Sequence, residues 1–425
     1  MPDITSKLLP LLKNYTLPGL NIQDGFIHPK YEDQSIMNIP TTICKWMNLP
    51  GFSSNPLVDD IVSPIETGVK RVILILVDGL EYHRFQKWLE ISPVWKSMIK
   101  SGILAPISSI SPSTTSSALS TLWTGLSPAA HGIIGYEMWI KEYGIVGNMI
   151  TLAPMTFNNS PDSLEKAGFS PESFMGNPPI SSHLKNNGVK SYAFTQKSIA
   201  RSGLSRMLMK DVEIIPFHTP ASMWVSIRQL LEQKPNEMMY VWSYWGQIDG
   251  ISHIHGPDDE RVSAEFSMFS SAFDRYFLQK LAPEIKRGTM VILTSDHGQT
   301  YTPLNSSQVI TDNLALQHHL RIRPTCENRL AFLHIRPGSE QAIREYFSHT
   351  WPGSFTLINQ TEALESRLFG PGPDHPGLRD RIGDLIAIAH GNSYLWWSDY
   401  KDTMLGRHGG MTFQDMVVPF LAIRL

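Results

Sequence analysis

The stretch Arg71-Val-Ile-Leu-Ile-Leu-Val-Asp78-Gly79 decides the fold. Its six consecutive apolar residues are rich in β-branched side chains and stop at Asp-Gly, as expected of a parallel strand that is buried on both faces. Further strands are predicted at residues 189–195, 237–242, 290–294 and 329–335, with helices at 81–99, 115–124, 220–233 and 264–281. Because strands alternate with helices, we predict an α/β fold whose mostly parallel central sheet carries helices on both faces.

The segments around this core differ from it in composition. Residues 1–70 are rich in Pro, Asn and Ser, and we predict an extension packed on the core. Residues 311–397 have their own strand-helix-strand pattern and a loop rich in Gly and Pro. We interpret them as a smaller inserted α+β subdomain that resembles a lid. The core then comprises residues 71–310 and 398–425, and its last apolar stretch is expected to return to the main sheet.

The composition excludes several classes of protein. Hydrophobic residues make up 42% of the 425 residues and charged residues only 18%, so the chain can bury a large core. With 36 basic against 39 acidic residues, no surface for a nucleic-acid polymer is indicated. The two cysteines, Cys44 and Cys326, form no disulfide or zinc-binding pattern. Because neither a signal-peptide pattern nor a membrane-spanning apolar run is present, we expect a soluble, cytoplasmic protein without a membrane partner.

Carboxylate and imidazole side chains follow several of the predicted strands. In open parallel sheets, ligands bind beyond the carboxyl ends of the strands, so residues far apart in sequence can converge there. Singly, each of these residues has an ordinary explanation as a helix cap, a turn residue or a packed histidine. As a set they supply three carboxylates and three imidazoles, enough for two cations: Asp78, Asp249, His253, Asp296, His297 and His408.

A two-metal centre suits in-line displacement at phosphorus, because the ions stabilise both the attacking and the leaving oxygen. A nucleophile is available in the hydroxyl-rich segment 111–125, which opens a predicted helix. A Ser or Thr at a helix start is ordinarily an N-cap. The positive end of the helix dipole also favours an alkoxide and an incoming phosphate there, so both interpretations can hold together.

The order of these motifs resembles that of the alkaline phosphatase superfamily, most closely its type I phosphodiesterase/nucleotide pyrophosphatase branch. In that family the nucleophilic Thr lies ten residues before the Gly that ends its helix, which corresponds to Thr115 and Gly125 here. The resemblance covers most of the chain from Arg71 onwards and implies an alkaline-phosphatase-like fold. It rests on Asp78, Thr115, Asp249-x-x-x-His253, Asp296-His297-Gly298 and His408-Gly409-Gly410.

The resemblance also implies a metal content and a reaction. One zinc ion would be held by Asp249, His253 and His408. The other would be held by Asp78, Asp296, His297 and the Thr115 oxygen. Thr115 would be the catalytic nucleophile in the hydrolysis of phosphate diesters, and a covalent threonine intermediate would form and then be hydrolysed. The substrate would be a small phosphate- or phosphonate-containing molecule, such as a nucleotide.

The chain departs from the family pattern at the phosphate-binding position. Nucleotide pyrophosphatases of the family usually carry Asn three residues after the nucleophile, and sulfatase-like relatives carry Arg one residue later. Here these positions are Ala118 and Leu119. Tyr136, Gln247 and Gln299 are candidate substitutes for binding the substrate. The departure leaves a phosphonate or phosphate monoester hydrolase on the same centre as an alternative, and a non-catalytic binding protein with this fold as another.

Overall fold

The apolar run that ends at Asp78 forms the middle strand of a seven-stranded sheet, in a computed structural model that describes residues 3–22, 25–156 and 160–425. The strands in this part of the chain are β1 (Arg71–Val77), β2 (Ile103–Ser108), β3 (Glu137–Ile140), β4 (Ile145–Asn148), β5 (Ala153–Pro154), β6 (Lys190–Gln196), β7 (Val212–Phe217), β8 (Met239–Trp245), β9 (Thr289–Thr294), β10 (Thr300–Tyr301), β11 (Thr325–Glu327), β12 (Leu330–Leu333), β13 (Phe355–Asn359), β14 (Leu385–Ala389), β15 (Gly406–Arg407) and β16 (Val417–Arg424).

The main sheet has the strand order β2-β16-β9-β1-β8-β6-β7. Strands β9, β1, β8, β6 and β7 run parallel, whereas β16 is antiparallel to both of its neighbours, β9 and β2. Every residue of β1 is buried, because helices flank the sheet and neighbouring strands cover its edges. The predicted α/β fold with a mostly parallel central sheet is therefore confirmed.

Helices of very different length connect these strands. They are α1 (Thr5–Asn14), α2 (Ile39–Trp46), α3 (Asp59–Val62), α4 (Tyr82–Trp88), α5 (Pro93–Ser101), α6 (Thr115–Thr124), α7 (Pro128–His131), α8 (Pro171–Phe174), α9 (Ile180–Asn186), α10 (Gly203–Leu208), α11 (Pro220–Gln233), α12 (Gln247–His255), α13 (Glu260–Phe273), α14 (Pro283–Lys286), α15 (Leu314–His318), α16 (Glu340–Thr350), α17 (Gln360–Glu365), α18 (Leu378–Arg381) and α19 (Phe413–Met416). Within the described ranges, none of them has both the length and the apolar character needed to cross a membrane.

Two predicted helices differ from the observed ones at their boundaries. The helix predicted at residues 81–99 is divided into α4 and α5, because Pro93 begins a new helix directly after Ser92. The helix predicted at residues 264–281 begins earlier, at Glu260, and is continued by a π-helical turn at Asp274–Leu278. The helices predicted at residues 115–124 and 220–233 coincide with α6 and α11.

The two edge strands of the main sheet, β2 and β7, have no counterpart in the sequence prediction. Both contain a proline, Pro106 in β2 and Pro216 in β7. Proline cannot donate a hydrogen bond to a neighbouring strand, and so it is tolerated mainly at sheet edges. Strand β7 also lacks a continuous buried run, because only its last residue is fully buried. The apolar pattern that reveals central strands is therefore weak at both edges.

A second seven-stranded sheet is entirely antiparallel and has the order β13-β14-β12-β11-β3-β4-β5. Strands β11 to β14 lie within the segment 311–397, but β3 to β5 come from residues 137–154. The two groups meet where Cys326 pairs with Glu137. This sheet therefore extends beyond the predicted inserted segment. The proposed domain boundaries, and the lid-like role of residues 311–397, remain predictions.

A buried ion pair joins the second sheet to the main one. Arg329, just before β12, contacts Asp415 of α19 with Nη2 and Oδ2 3.0 Å apart, and both side chains are 0% exposed. Thr300 donates a further hydrogen bond of 2.9 Å to Asp415 Oδ1. Removal of one partner leaves the other charge buried and unpaired, which is far more costly than loss of an exposed pair.

We therefore expect Asp415→Ala to lower the free energy of unfolding by about 3–5 kcal/mol. Urea denaturation measures this change. The matched control is Glu90→Ala, which breaks the exposed pair between Lys96 and Glu90 and is expected to change stability little. Equal effects of the two substitutions would contradict the structural importance of the buried pair.

Candidate active site

Three neighbouring strands of the main sheet end at the same edge and carry most of the predicted site. β1 lies between β8 and β9, with Val77 paired to Trp245 and Leu76 to Thr294. Asp78 follows β1 directly, Asp249 and His253 lie on α12 just after β8, and Asp296 and His297 follow β9. Parallel strands in register thus bring residues from three distant parts of the sequence to one place.

The remaining two site residues reach the same edge by different routes. β16 runs antiparallel to β9, so its beginning lies at the edge where the parallel strands end, and His408 lies in the loop before it. Thr115 is the first residue of α6, which follows β2. The two segments are joined because Ser113 pairs with Gly409 and donates its hydroxyl to Gly410 O at 2.8 Å.

The first group of side chains consists of Asp78, Asp296 and His297. Their potential ligand atoms all lie within 4.8 Å of one another, and all three residues are buried. His297 Nε2 is 3.4 Å from Asp78 Oδ1 and 3.5 Å from Asp296 Oδ2. Thr115 Oγ1 lies 3.1 Å from the same Nε2 atom, which places the predicted nucleophile at this group.

The second group consists of Asp249, His253 and His408, again with ligand atoms within 4.8 Å of one another. His253 Nε2 is 3.1 Å from Asp249 Oδ2, because the four-residue spacing places both on one face of α12. His408 Nε2 is 3.9 Å from Asp249 Oδ1. The ring of His408 also stacks on that of His297 with centroids 3.9 Å apart, so the two groups adjoin.

Each of the three imidazoles makes a hydrogen bond from Nδ1 to a backbone carbonyl. A carbonyl oxygen only accepts hydrogen bonds, so each Nδ1 carries a proton and Nε2 is the nitrogen that faces the site and can bind a metal in the neutral ring. Such contacts fix the ring and its tautomer in metal-binding histidines. The pairs are His253 with Gly406 O (2.8 Å), His297 with Gly298 O (2.9 Å) and His408 with Ser113 O (3.2 Å).

The first group contains buried carboxylate oxygens that receive no hydrogen bond within the described part of the chain. Asp78 Oδ1 and Asp296 Oδ2 have no hydrogen-bond partner among the described residues. Burial raises the pKa of Asp78 well above its usual range, and the carboxylates of Asp296 and Asp249 raise it further. Burial also raises the pKa of Asp296. Unpaired buried carboxylates are costly, and a cation bound between them and the His297 lone pair would remove that cost. The donor set therefore fits a divalent metal.

The second group is electrostatically different from the first. Burial disfavours the ionised form of Asp249, but the adjacent His253 outweighs it and lowers the pKa of this carboxyl below its usual range. For His408, burial lowers the pKa well below that of free imidazole, and the neighbouring His297 contributes in the same direction. A neutral imidazole with a free Nε2 lone pair is the form that binds a metal.

Helix α6 places Thr115 where negative charge is favoured. Its first backbone N–H groups lack intrahelical acceptors, and they form the positive end of the helix dipole. The helix ends at Gly125, whose φ of 64° is left-handed and suits glycine. Thr114, at the N-cap position, makes no side-chain hydrogen bond to the helix start. The backbone donors around Thr115 are therefore available to a phosphate oxygen.

The three candidate substrate-binding residues occupy different places. Gln299 is completely buried and donates a hydrogen bond of 2.8 Å from Nε2 to Asp249 Oδ1. Tyr136 is half-buried, and its hydroxyl accepts a 2.6 Å hydrogen bond from Asn148 Nδ2. Gln247 is half-buried at the start of α12. Their roles in binding a substrate remain predictions.

The positions where related enzymes carry a phosphate-binding side chain are occupied by packing residues. Ala118 is completely buried, Leu119 is nearly so, and both belong to the main hydrophobic core. The Ala118 N–H donates to Thr114 O at 2.8 Å as part of the first turn of α6. Phosphate binding at this end of the helix would therefore depend on the backbone and on other side chains.

Two residues beside the site are not among the predicted site residues. Tyr244, on β8, donates its hydroxyl hydrogen bond to Asp78 Oδ2. Glu327, on β11, accepts a hydrogen bond from the Thr114 hydroxyl. Tyr244 could have been found from the sequence, because it lies at the end of β8, just before the helix that carries Asp249 and His253. Glu327 has no such signal, because it approaches the site from the second sheet.

A mostly parallel sheet with two carboxylate and imidazole groups beside a threonine suits metal-assisted hydrolysis of phosphoric esters. The model of one family, described as "Type I phosphodiesterase / nucleotide pyrophosphatase", matches residues 72–411. This match begins in β1 and ends within the loop that carries His408. The chain belongs to this family, and it is a phosphoric ester hydrolase.

Solved structures share the fold at low sequence identity. Murine ectonucleotide pyrophosphatase/phosphodiesterase 5 is 19% identical, with a TM-score of 0.62 over 83% of this chain and 87% of that one. An inactive variant of it, solved in complex with AMP, has 19% identity, a TM-score of 0.61 and the same coverage. Phosphonoacetate hydrolase from Sinorhizobium meliloti, in complex with phosphonoformate, is 18% identical, with a TM-score of 0.61 over 82% and 89%. No curated protein matches the chain by sequence.

Proposed function

We propose that the chain hydrolyses phosphate diesters through a covalent intermediate on Thr115 at a two-zinc centre. The observation that carries this proposal is the position of Thr115 Oγ1, 3.1 Å from His297 Nε2 and at the start of α6. A hydroxyl in this place is close to a candidate metal group and to free backbone donors at once. A threonine that served only as a helix cap would need neither the nearby metal group nor the free backbone donors.

The two groups of side chains suit zinc, which binds imidazole nitrogen and carboxylate oxygen. Asp78, Asp296, His297 and the Thr115 oxygen would hold one ion. The other would be held by Asp249, His253 and His408. When bound, two divalent ions neutralise charge on the phosphoryl oxygens and stabilise both the attacking and the leaving oxygen.

The side chains and backbone of the chain supply the nucleophile and the groups that bind the phosphate. Thr115 Oγ1 gives up its proton and forms a bond to phosphorus, the bond from phosphorus to the leaving group breaks, and the leaving oxygen takes up a proton. The N–H groups at the start of α6 bind the non-bridging oxygens. Water then attacks the phosphorylated threonine and releases the Thr115 hydroxyl. Throughout, the backbone carbonyls that accept from Nδ1 keep the three imidazoles oriented.

The charge of the centre favours an anionic substrate. The three aspartates contribute a formal charge of −3 and two divalent ions would contribute +4, which leaves about +1 at the site. Attraction of phosphate would thus come from the centre itself and the start of α6, without a basic protein surface. We propose a small phosphate- or phosphonate-containing substrate, such as a nucleotide. Complexes of the structural relatives with AMP and phosphonoformate support this class of ligand.

Rates of hydrolysis on four substrates test the proposal. We expect bis-p-nitrophenyl phosphate and the p-nitrophenyl ester of thymidine monophosphate to turn over faster than p-nitrophenyl phosphate and phosphonoacetate. Protein purified without chelator should contain about two zinc ions per chain. Fewer than about one metal ion per chain would contradict the two-metal centre. Phosphonoacetate or the monoester as the fastest substrate would instead favour the alternative activity on the same centre.

A further inference from the structure

Glu327 brings a carboxylate from the second sheet to the start of α6. It lies at the end of β11, is 9% exposed, and accepts a hydrogen bond from the hydroxyl of Thr114, the N-cap residue of α6. Its neighbour Cys326 has a left-handed φ of 81°, which is uncommon for a residue with a side chain. The backbone thus adopts a costly conformation directly beside the residue that reaches Thr114.

The loop that carries His408 leaves space for this side chain. A Cβ atom on Gly409 would lie only 2.3 Å from Glu327 Cβ, and Gly409 itself has a φ of 97°. The glycine after His408 is therefore needed for close packing against Glu327. Two separate features, a positive φ in β11 and a missing side chain at residue 409, allow Glu327 to occupy this place.

The contact with Glu327 explains why Thr114 does not cap its helix. An N-cap threonine normally accepts a hydrogen bond from the N–H two or three residues later. Thr219, the N-cap of α11, has nearly the same backbone angles (φ −135°, ψ 155°) as Thr114 (φ −138°, ψ 146°). Thr219 accepts from Ser222 N at 3.2 Å, whereas Thr114 makes no such bond. The backbone at Thr114 permits a cap, and its hydroxyl is directed to Glu327 instead.

We propose that Glu327 is a positioning residue that holds the Thr114 hydroxyl away from α6 and so keeps the Ser117 N–H free for a phosphoryl oxygen. This inference rests on the proposed function. The free N–H group would help to bind the phosphoryl oxygen at a site where Ala118 stands in place of the family's Asn. The unpaired oxygens of Asp78 and Asp296 belong to the first group, which lies at this end of the helix because Thr115 Oγ1 is 3.1 Å from His297 Nε2.

The contact does not depend on the charge of Glu327. Burial raises the pKa of this carboxyl to about 8, although the hydrogen bond from Thr114 opposes the shift. Both the ionised and the protonated carboxyl keep an oxygen that can accept from the Thr114 hydroxyl. A neutral amide can do the same. Glu327→Gln is therefore expected to retain most of the activity, and Glu327→Ala is not.

A double-mutant cycle on the zinc-loaded enzyme tests the proposal. In Glu327→Ala, Thr114 is released and can accept from Ser117 N, which removes one oxyanion donor and should lower kcat/KM for a diester about 100-fold. Thr114→Val cannot cap the helix, and its kcat/KM is the reference value for the cycle. The double variant should recover to that level, because the released cap no longer exists.

Binding of inorganic phosphate gives a second measurement that does not need turnover. We expect Glu327→Ala to weaken phosphate binding about 10-fold and the added Thr114→Val to restore it. A double variant as impaired as Glu327→Ala would overturn the proposal, as would wild-type behaviour of Glu327→Ala. If the alanine variant does not fold, Glu327→Met fills the same space without an acceptor. Failure of the proposed function would appear differently, as wild-type protein that binds phosphate and hydrolyses no diester.

Discussion

Replacement of Thr115 by alanine is expected to lower kcat for diester hydrolysis by a factor on the order of 10³–10⁶, because it removes the attacking oxygen. The fold should tolerate the change, since alanine is a good helix former and Thr115 is the first residue of α6. The metal content should stay close to that of the wild type, because Asp78, Asp296 and His297 remain to hold the nearest ion. Steady-state kinetics and elemental analysis measure the two quantities together.

Thr115→Ser is the matched control, because it keeps the hydroxyl and removes only a methyl group. It should retain a large part of the activity. Mass spectrometry of acid-quenched reactions should find a phosphoryl adduct on the peptide that contains Thr115 in the wild type, and none in Thr115→Ala. Turnover that survives in Thr115→Ala would show that another group attacks phosphorus.

Asp78→Asn is expected to have opposite effects on activity and on the stability of metal-free protein. Loss of the carboxylate should weaken the nearest metal and lower kcat/KM by about 10³-fold. In chelator-treated protein, however, the same change should raise the free energy of unfolding by about 1–3 kcal/mol, the cost of one unpaired buried polar group. The asparagine keeps an acceptor for Tyr244, and its amide can donate to His297 Nε2.

The stability gain should depend on pH in a defined direction. The pKa of Asp78 in the folded protein is raised, so its contribution to stability is present below its ordinary pKa of about 4 and is lost as the pH rises through the raised value. Acidification from neutral pH should thus stabilise chelated wild type relative to Asp78→Asn, so that the advantage of the variant shrinks, whereas His408 titrates in both proteins. Urea denaturation of the two chelated proteins at pH 7.5 and 5.5 measures this difference. A metal-free Asp78→Asn protein less stable than chelated wild type at pH 7.5 would contradict this account.

The central part of the fold was predictable because its signals are local. The run at residues 71–77 is apolar throughout, and β1 is buried along its whole length. The edge strands β2 and β7 were missed, because a proline interrupts the apolar run in each and β7 is also incompletely buried. The antiparallel sheet was only partly anticipated, because residues 155–324 separate its strands β3 to β5 from β11 in the sequence.

The predicted site residues could be found because topology brings strand ends together. Asp78, Asp249 and Asp296 follow three strands that are neighbours in the sheet, and that order could be expected of an open parallel sheet. Glu327 could not be found in the same way. Its contact with Thr114 depends on how the second sheet packs against α6, and Glu327 lies in no sequence pattern that would indicate this contact.

The second sheet therefore places residues beside the start of α6. β3 and β11 pair where Glu137 meets Cys326, directly before Glu327. The buried pair between Arg329 and Asp415 fixes the start of β12 in the same sheet to α19, the short helix directly before β16. A substitution that loosens this pair is expected to disturb the helix start as well as the overall stability.

Anomalous diffraction at the zinc edge, from crystals of protein purified without chelator, tests the central claim most directly. The account predicts two peaks per chain: one among Asp78, Asp296, His297 and the Thr115 oxygen, and one among Asp249, His253 and His408. A single peak, or zinc peaks away from these two groups, would contradict a two-zinc centre at the start of α6.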